Sequence, residues 1–149
     1  MTPFRHLLRV RYGECDAQGI VFNARWGDYV DIAVTEYARA LFGSDDLGGD
    51  WKLVRQTLEW RASARFDDVL DVRVTTLRIG TTSFAIASEF YRYGEPERLV
   101  TAETIYVMTD KAGGKRAVPP EARVALERGA PGVVSDHAGL RALPATPVV

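Results

Sequence analysis

The chain has 149 residues, of which 46% are hydrophobic and 26% are charged, and its formal net charge is −1. A chain of this length can bury the core of one domain, and a charge near zero gives no reason to expect nucleic acid as a partner. A single cysteine, Cys15, excludes an internal disulfide. No window is apolar enough for a membrane span or a signal peptide, so we expect a cytoplasmic protein.

The N-terminal part of the sequence predicts a strand, a turn and a long helix. His6 to Tyr12 mixes β-branched, aromatic and basic residues, as short strands do. A glycine-containing turn around Asp16 follows, and from Ala24 the apolar residues recur at the helical spacing i, i+3, i+4, i+7. These positions are Trp26, Tyr29, Val30, Ala33, Tyr37 and Leu41. With Asn23 as N-cap and Gly43 as a stop, the helix has about 19 residues.

The segment after the helix predicts four antiparallel strands. Apolar and polar residues alternate from Val54 to Phe66, which indicates a strand with one buried and one exposed face. Val69 to Ile79 is a second strand, and its apolar phase slips near Thr75 to Leu77, which indicates a bulge. Ser83 to Tyr93 and Leu99 to Thr109 follow after short turns, so the pattern predicts three consecutive hairpins.

The order of these elements predicts an α+β domain over residues 1–128, in which an antiparallel sheet curls around one long central helix. A short helix from Pro119-Pro120 to Arg128 closes the domain. Residues 129–149 are rich in alanine, proline and glycine, and we expect them to form a flexible tail. A curled sheet leaves strand edges open, which predicts a homodimer joined edge to edge.

The turn before the long helix is the candidate for chemistry. Asp16 precedes the point where a helix presents unpaired backbone N–H groups, and a carboxylate beside such donors can attack and polarise a carbonyl. From the residues alone, Asp16 could equally cap the helix or close the turn. Cys15 has no histidine nearby in the sequence, and adjacent side chains of an extended segment point apart, so a structural thiol is the favoured interpretation.

Two motifs give the chain a family resemblance. Tyr-x-x-x-Asp-x-x-Gly-Ile-Val-x-x-x-x-Trp, from Tyr12 to Trp26, and Phe-Asp-Asp-Val-Leu, ending at Leu70, resemble the hotdog-fold 4-hydroxybenzoyl-CoA thioesterase family and related bacterial acyl-CoA thioesterases. The similarity runs from Arg5 to Arg128. It implies a hotdog fold and hydrolysis of an acyl- or aryl-CoA thioester. It implies no metal and no cofactor, since the CoA thioester is the substrate.

The resemblance also implies roles for individual residues. Asp16 corresponds to the catalytic acid of the family, as nucleophile or general base, and the helix N-terminal backbone at Asn23 binds the thioester carbonyl. The positions assigned to substrate binding are Gly19, Ile20, Val21, Phe22 and Trp60, of which Phe22 and Trp60 fit either the core or an acyl pocket. Thr82 and Arg116 are candidate CoA contacts. The family acts as dimers or tetramers with CoA bound across a subunit interface, which implies a homodimer or a dimer of dimers here.

Two other functions are compatible with the same fold. A hotdog dehydratase or hydratase works through a histidine with an acid, but His6 and His137 lie at the two ends of the sequence and in no suitable motif. Asp31 and Glu36, which lie on the predicted helix, are interpreted as surface charges. A non-catalytic acyl-CoA-binding module has no need of a carboxylate at the thioester carbonyl. Thioester hydrolysis is therefore the favoured hypothesis.

Overall fold

A computed structural model describes residues 2–44 and 50–140 of the chain. Its elements, in chain order, are β1 (Phe4–Arg9), a single 3-10 turn (Tyr12–Glu14), α1 (Arg25–Phe42), β2 (Trp51–Trp60), β3 (Val69–Ile79), β4 (Ser83–Arg92), β5 (Arg98–Met108), α2 (Pro120–Arg128) and β6 (Val134–Asp136). The first strand is thus shifted towards the N-terminus relative to the prediction. Within the described ranges, neither helix is long and apolar enough to cross a membrane.

Helix α1 forms the centre of the core. It has 18 residues, or about 27 Å at 1.5 Å per residue. All six apolar positions predicted from the helical spacing are buried, and Val34 and Ala38 join them. Gly43 ends the helix with φ +83°, a conformation that glycine adopts without strain, and its N–H donates to the Arg39 carbonyl (2.9 Å). The predicted helix is confirmed.

The first turn of α1 differs from the prediction. The N-cap is Ala24 rather than Asn23, and no side chain caps the helix. The chain enters α1 through a turn in which the Arg25 N–H donates to the Phe22 carbonyl (2.9 Å) and the Trp26 N–H to the Asn23 carbonyl (3.4 Å). A capping residue normally has an extended backbone, whereas Ala24, at the N-cap position, has helical backbone angles. Asn23 lies one residue earlier, and its side chain does not cap the helix.

The strands form one six-stranded mixed sheet in the order β2-β5-β4-β3-β1-β6. All neighbours are antiparallel except β6, which runs parallel to β1. The bulge predicted in β3 is confirmed by a register shift between Thr76 and Arg78. Leu70, Val72 and Val74 of the same strand point into the core that surrounds α1. The sheet is therefore mixed rather than purely antiparallel, and the α+β architecture around one long helix is as predicted.

The predicted hairpin between the first two strands after α1 is wrong. β2 pairs with β5 at the edge of the sheet, and it ends at Trp60 rather than at Phe66. The next segment does not fold back on β2, because its backbone bonds to the N-terminal part of the chain. The Val21 N–H donates to the Ala64 carbonyl (2.9 Å), and the Asp67 N–H donates to the Val10 carbonyl (3.0 Å). These bonds carry residues 61–68 across the end of the sheet to β3.

The inner face of β2 is only partly covered within one chain, contrary to the prediction. A register shift at Val54 moves the inner face from Leu53 to the even positions that follow it. Leu53 and Trp60 are both 49% exposed, and Val54 is 58% exposed. Helix α1 packs mainly on β1, β3 and β4, so the edge strand β2 lies beyond the cover of the helix.

The chain after α2 adds the sixth strand. β6 pairs in parallel with Arg5 to Leu7 of β1, within the segment that sequence analysis assigned to a tail. Ala130 and Ala138, on either side of β6, are buried. Residues 134–136 are thus part of the sheet, whereas residues 141–149 of the predicted tail lie outside the described residues.

Candidate active site

Asp16 lies in a tight turn that depends on a glycine. The Asp16 N–H donates to the Ile20 carbonyl (2.9 Å), the Gly19 N–H donates to the Asp16 carbonyl (3.0 Å), and Asp16 Oδ1 accepts from the Gln18 N–H (2.8 Å). Gly19 has φ +77°, where any other side chain would be strained. Asp16 Oδ2 is engaged by no described residue. Gly19 shapes this turn, but it does not line the cleft beside it.

The start of α1 presents backbone donors that are not used in the fold. Among the described residues, the N–H groups of Asn23 and Ala24 donate to no backbone or side-chain acceptor. The amino end of a helix also carries a partial positive charge from the aligned peptide dipoles. These two N–H groups are therefore available to an electron-rich atom such as a carbonyl oxygen.

Asp16 and Asn23 line the same cleft, which has a volume of about 680 Å³. Its other lining residues are Ala17, Gln18, Ile20, Val21, Phe22, Trp26, Trp60 and Ser63. Phe22 is 47% and Trp60 is 49% exposed, so within one chain they form an open aromatic wall rather than core. The cleft wall thus contains the acid Asp16, the residue Asn23 at the start of the helix, and apolar side chains. Of the positions that sequence analysis assigned to substrate binding, Ile20, Val21, Phe22 and Trp60 line this cleft.

The two candidate CoA contacts lie elsewhere within one chain. The Met108 N–H donates to the Thr82 carbonyl (2.8 Å), and the Arg116 N–H donates to the Met108 carbonyl (3.1 Å). Trp60, in the cleft, pairs instead with Val100 at the other end of β5. The span from Val100 to Met108 is about 26 Å at 3.3 Å per residue. One chain therefore does not bring Thr82 and Arg116 to the cleft.

A buried acid that sequence analysis missed lies two residues before Asp16. The Glu14 carboxylate accepts hydrogen bonds from the Arg11 backbone N–H (2.8 Å), from Arg11 Nη2 (2.9 Å) and from the Tyr29 hydroxyl (3.0 Å). Burial opposes the ionised form, but these hydrogen bonds outweigh it and hold the pKa of Glu14 below its ordinary value. The spacing of Arg11 and Glu14 is a signal in the sequence, whereas nothing there connects Glu14 with Tyr29.

Cys15 does not have the environment of a nucleophile. Its side chain is half-buried, and burial, together with the charges of Asp16 and Glu14, raises the pKa of the thiol above its ordinary value. A reactive cysteine needs surroundings that favour the thiolate. The interpretation of Cys15 as a structural thiol agrees with this environment.

The two histidines, from opposite ends of the sequence, meet in the fold. The ring centroids of His6 and His137 are 4.5 Å apart, and both rings line a cavity of about 200 Å³ that is separate from the Asp16 cleft. His6 Nδ1 lies 3.2 Å from Ser135 Oγ, and His137 Nε2 lies 3.7 Å from a carboxylate oxygen of Glu36. Glu36 is thus a partner of this cluster rather than an isolated surface charge. Neither histidine lines the Asp16 cleft, so the pair that a hotdog dehydratase needs is not formed there.

Comparison with known proteins identifies relatives of the chain. The family model of the thioesterase superfamily matches residues 18–98, more than half of the chain, beginning two residues after Asp16. The acyl-CoA thioester hydrolase YbgC of Escherichia coli is 29% identical over 128 residues, which cover 83% of this chain and 95% of the relative.

Solved structures show the same fold. A 1,4-dihydroxy-2-naphthoyl-CoA thioesterase from Synechocystis has a TM-score of 0.74 at 20% identity, with 83% of this chain and 94% of the other covered. The gentisyl-coenzyme A thioesterase BH1999 has a TM-score of 0.72 at 24% identity, with 83% and 98% covered. Together with the match to the family model, this fold places the chain in the thioesterase superfamily, as an enzyme of the hotdog fold.

Proposed function

We propose that the chain hydrolyses acyl-CoA thioesters, aliphatic or aromatic, with Asp16 as general base or nucleophile. In this proposal the N–H groups of Asn23 and Ala24 hold the thioester carbonyl oxygen. The observation that carries the proposal is that Asp16 and Asn23, whose backbone N–H has no acceptor among the described residues, line the same cleft. Phe22 and Trp60 supply apolar surface beside them for the acyl group.

A thioester can be hydrolysed at a site that supplies only one acid and backbone N–H donors. As a general base, Asp16 takes a proton from the water that attacks the carbonyl carbon. As a nucleophile, its carboxylate displaces CoA and forms an anhydride, which water then hydrolyses. In both routes negative charge develops on the carbonyl oxygen, where loss of one hydrogen-bond donor costs about 2.7–4 kcal/mol in known cases. A thiol with a pKa near 8.5 leaves as thiolate without obligatory protonation, so no second acid is required.

The names of the relatives support CoA thioesters as the substrate class. YbgC is an acyl-CoA thioester hydrolase, and the two structural neighbours act on aromatic acyl groups joined to CoA. Apolar aromatic side chains such as Phe22 and Trp60 can contact either an aliphatic chain or a ring. The choice between these acyl groups is therefore a matter for assay.

The proposal is tested by thiol release from a panel that includes hexanoyl-CoA and benzoyl-CoA. We expect turnover of at least one thioester by the wild type, and a loss of kcat of about 10²- to 10⁴-fold in Asp16→Asn and Asp16→Ala. Asp28→Asn is the matched control, because Asp28 is an exposed acid in the first turn of α1 that does not line the cleft. Equal turnover by wild type and Asp16→Asn would refute the role of Asp16. Absence of turnover on the whole panel would refute the substrate class.

We further propose that the enzyme is a homodimer in which two β2 edges pair antiparallel, alone or as half of a dimer of dimers. Among the described strands, β2 pairs only with β5, and its partly exposed inner face includes Leu53 and Trp60. Antiparallel pairing about a two-fold axis sets the Trp51 end of one strand beside the Trp60 end of the other. The partner's Arg116, which lies near its own Trp51 end, then approaches the Asp16 cleft of this chain as a contact for CoA phosphates.

Sedimentation at micromolar concentration tests this arrangement. We expect a dimer for the wild type and a monomer for Leu53→Lys, which places a charge in the proposed interface. Thr57→Lys introduces the same charge on the outer face of β2, so this control is expected to remain dimeric. A mass of four chains would indicate that two such dimers pair. A folded wild-type monomer would contradict the proposal.

A further inference from the structure

Glu14 is a buried carboxylate without contact to the Asp16 cleft, and its partners lie on both sides of Asp16 in the sequence. We propose that Glu14 is a positioning residue, which holds the Asp16 carboxylate at a fixed place relative to the first turn of α1. This inference rests on the proposed function, because it assumes that Asp16 and the helix N–H groups act on the same carbonyl.

Two connections run from Glu14 to the chain that follows Asp16. Its side chain accepts a hydrogen bond from the hydroxyl of Tyr29, a residue of α1 (3.0 Å). Its backbone carbonyl accepts the N–H of Phe22 (2.9 Å), the residue before Asn23. One bond leaves from the side chain and the other from the backbone of Glu14, so two separate links hold the 3-10 turn against the start of the helix. Asp16 follows that turn after only one residue.

The Glu14 carboxylate forms an ion pair with Arg11 in addition to its hydrogen bonds. Arg11 Nε (3.2 Å) and Nη2 (2.9 Å) both donate to Oε2, while the Arg11 N–H and the Tyr29 hydroxyl share Oε1. Hydrogen bonds to an ionised group are about twice as strong as neutral ones. Four donors converge on one buried group, so its removal would leave the Tyr29 hydroxyl buried without its acceptor.

The same network reaches the wall of the cleft. Tyr29 is 1% exposed and packs edge to face on Trp26, with ring centroids 5.6 Å apart. Trp26 lines the cleft that also contains Asp16 and Asn23. Glu14 is therefore connected to two residues of the cleft wall, to Trp26 through Tyr29 and to Asp16 through the chain itself.

This role predicts a loss of rate with little loss of binding. An error of about 1 Å in the placement of a reacting group can cost about 10²-fold in rate. We expect Glu14→Gln, which keeps size and a hydrogen-bonding oxygen but removes the charge, to lower kcat by about 10- to 100-fold with KM changed by less than about threefold. Tyr29→Phe, which removes only the link to α1, is expected to lower kcat by about 3- to 10-fold, again at nearly constant KM.

The matched control is Asp71→Asn. Asp71 is 2% exposed and accepts two hydrogen bonds from Arg5 (3.0 and 2.9 Å), so it is a similarly buried ion-paired carboxylate. It lies on β3 between the core residues Leu70 and Val72, and therefore faces away from α1. A purely structural role of Glu14 predicts that Glu14→Gln and Asp71→Asn lose stability and activity in parallel. The positioning role predicts that only Glu14→Gln loses kcat when both variants are fully folded.

The experiment measures kcat and KM on benzoyl-CoA and hexanoyl-CoA, with unfolding curves for every variant. Wild-type kcat in folded Glu14→Gln, or an equal loss in Asp71→Asn, would overturn the inference. Should Glu14→Gln fail to fold, wild-type kcat in Tyr29→Phe overturns it instead. Asp16→Asn in the same series separates the two proposals, because an inactive Asp16→Asn with a fully active Glu14→Gln refutes the positioning role alone. Full activity of Asp16→Asn refutes the proposed mechanism.

Discussion

Acidification should destabilise the fold through His6. This imidazole lies on β1, is fully buried and contacts Ser135 of β6. Burial, followed by the nearby charge of His137, lowers its pKa from 6.5 to about 4. Glu36 and Asp136 favour the charged form but do not offset burial. The unfolded chain binds a proton below pH 6.5, whereas the folded chain binds it only near pH 4. The contribution of neutral, buried His6 to the free energy of unfolding is therefore fully present above pH 6.5, and it is lost as the pH falls towards 4.

The size of this effect follows from the difference between the two pKa values. A difference of about 2.5 units corresponds to a maximum of about 3.4 kcal/mol in the free energy of unfolding. At pH 5 the unfolded chain is mostly protonated at His6 and the folded chain is not, which gives a loss of about 2 kcal/mol relative to pH 7.5. Such a loss is a large fraction of the stability of a typical domain, about 5–15 kcal/mol.

Urea unfolding followed by tryptophan fluorescence at pH 7.5 and 5 measures this loss. Wild type is expected to lose about 2 kcal/mol more than His6→Asn, which retains a polar atom for Ser135 but does not titrate. His137→Asn removes the second cause of the lowered pKa and leaves burial, the larger one, so this variant is expected to keep most of the pH dependence. Equal pH dependence in wild type and His6→Asn would refute the reasoning, as would a His6 imidazole that titrates near pH 6.5 by NMR in the folded protein.

Three further predictions concern the cleft and the proposed CoA contact at Arg116. Asn23→Ala is expected to keep kcat within about threefold of wild type, since it retains the main-chain N–H; a loss of about 10²-fold, as for a deleted oxyanion donor, would assign the role to the side chain. Trp60→Ala is expected to raise KM for benzoyl-CoA by about 5- to 30-fold, corresponding to about 1–2 kcal/mol of apolar contact, and an unchanged KM would remove Trp60 from the acyl pocket. Arg116→Ala is expected to raise KM about tenfold at constant kcat, because a charged hydrogen bond to CoA is lost. Lys111→Ala, at an exposed lysine, is the control, and equal KM values in the two variants would contradict a CoA contact at Arg116.

Features with a local cause were predictable from the sequence. The apolar spacing from Trp26 to Leu41 predicted both α1 and the residues that it buries, since a helix places residues three and four apart on one face. The turn at Asp16 followed from Gly19, and the bulge in β3 from a slip in its apolar phase. The cleft was predictable for the same reason, because Ile20 to Asn23 lie close to Asp16 along the chain.

Features that depend on distant parts of the chain were not predictable in this way. The alternation that extends to Phe66 indicates a strand but does not say which strand is its neighbour, and backbone bonds from Val10 and Val21 hold residues 61–68 away from a hairpin. A similar limit applies to Glu14, whose bond to Tyr29 exists only once the 3-10 turn packs on α1.

The sequence indicated α1 and the existence of the first five strands, and it placed Asp16 ahead of a helix amino end, because periodicity and turn chemistry act over a few residues. Only the tertiary structure decided that β6 covers the edge of β1, and hence that His6 and His137 meet beside Glu36. It also decided that β2 is the outermost strand on its side of the sheet, within residues 2–44 and 50–140. Strand pairing joins segments far apart in the chain through backbone groups that every residue carries, so side-chain patterns alone do not encode the partner.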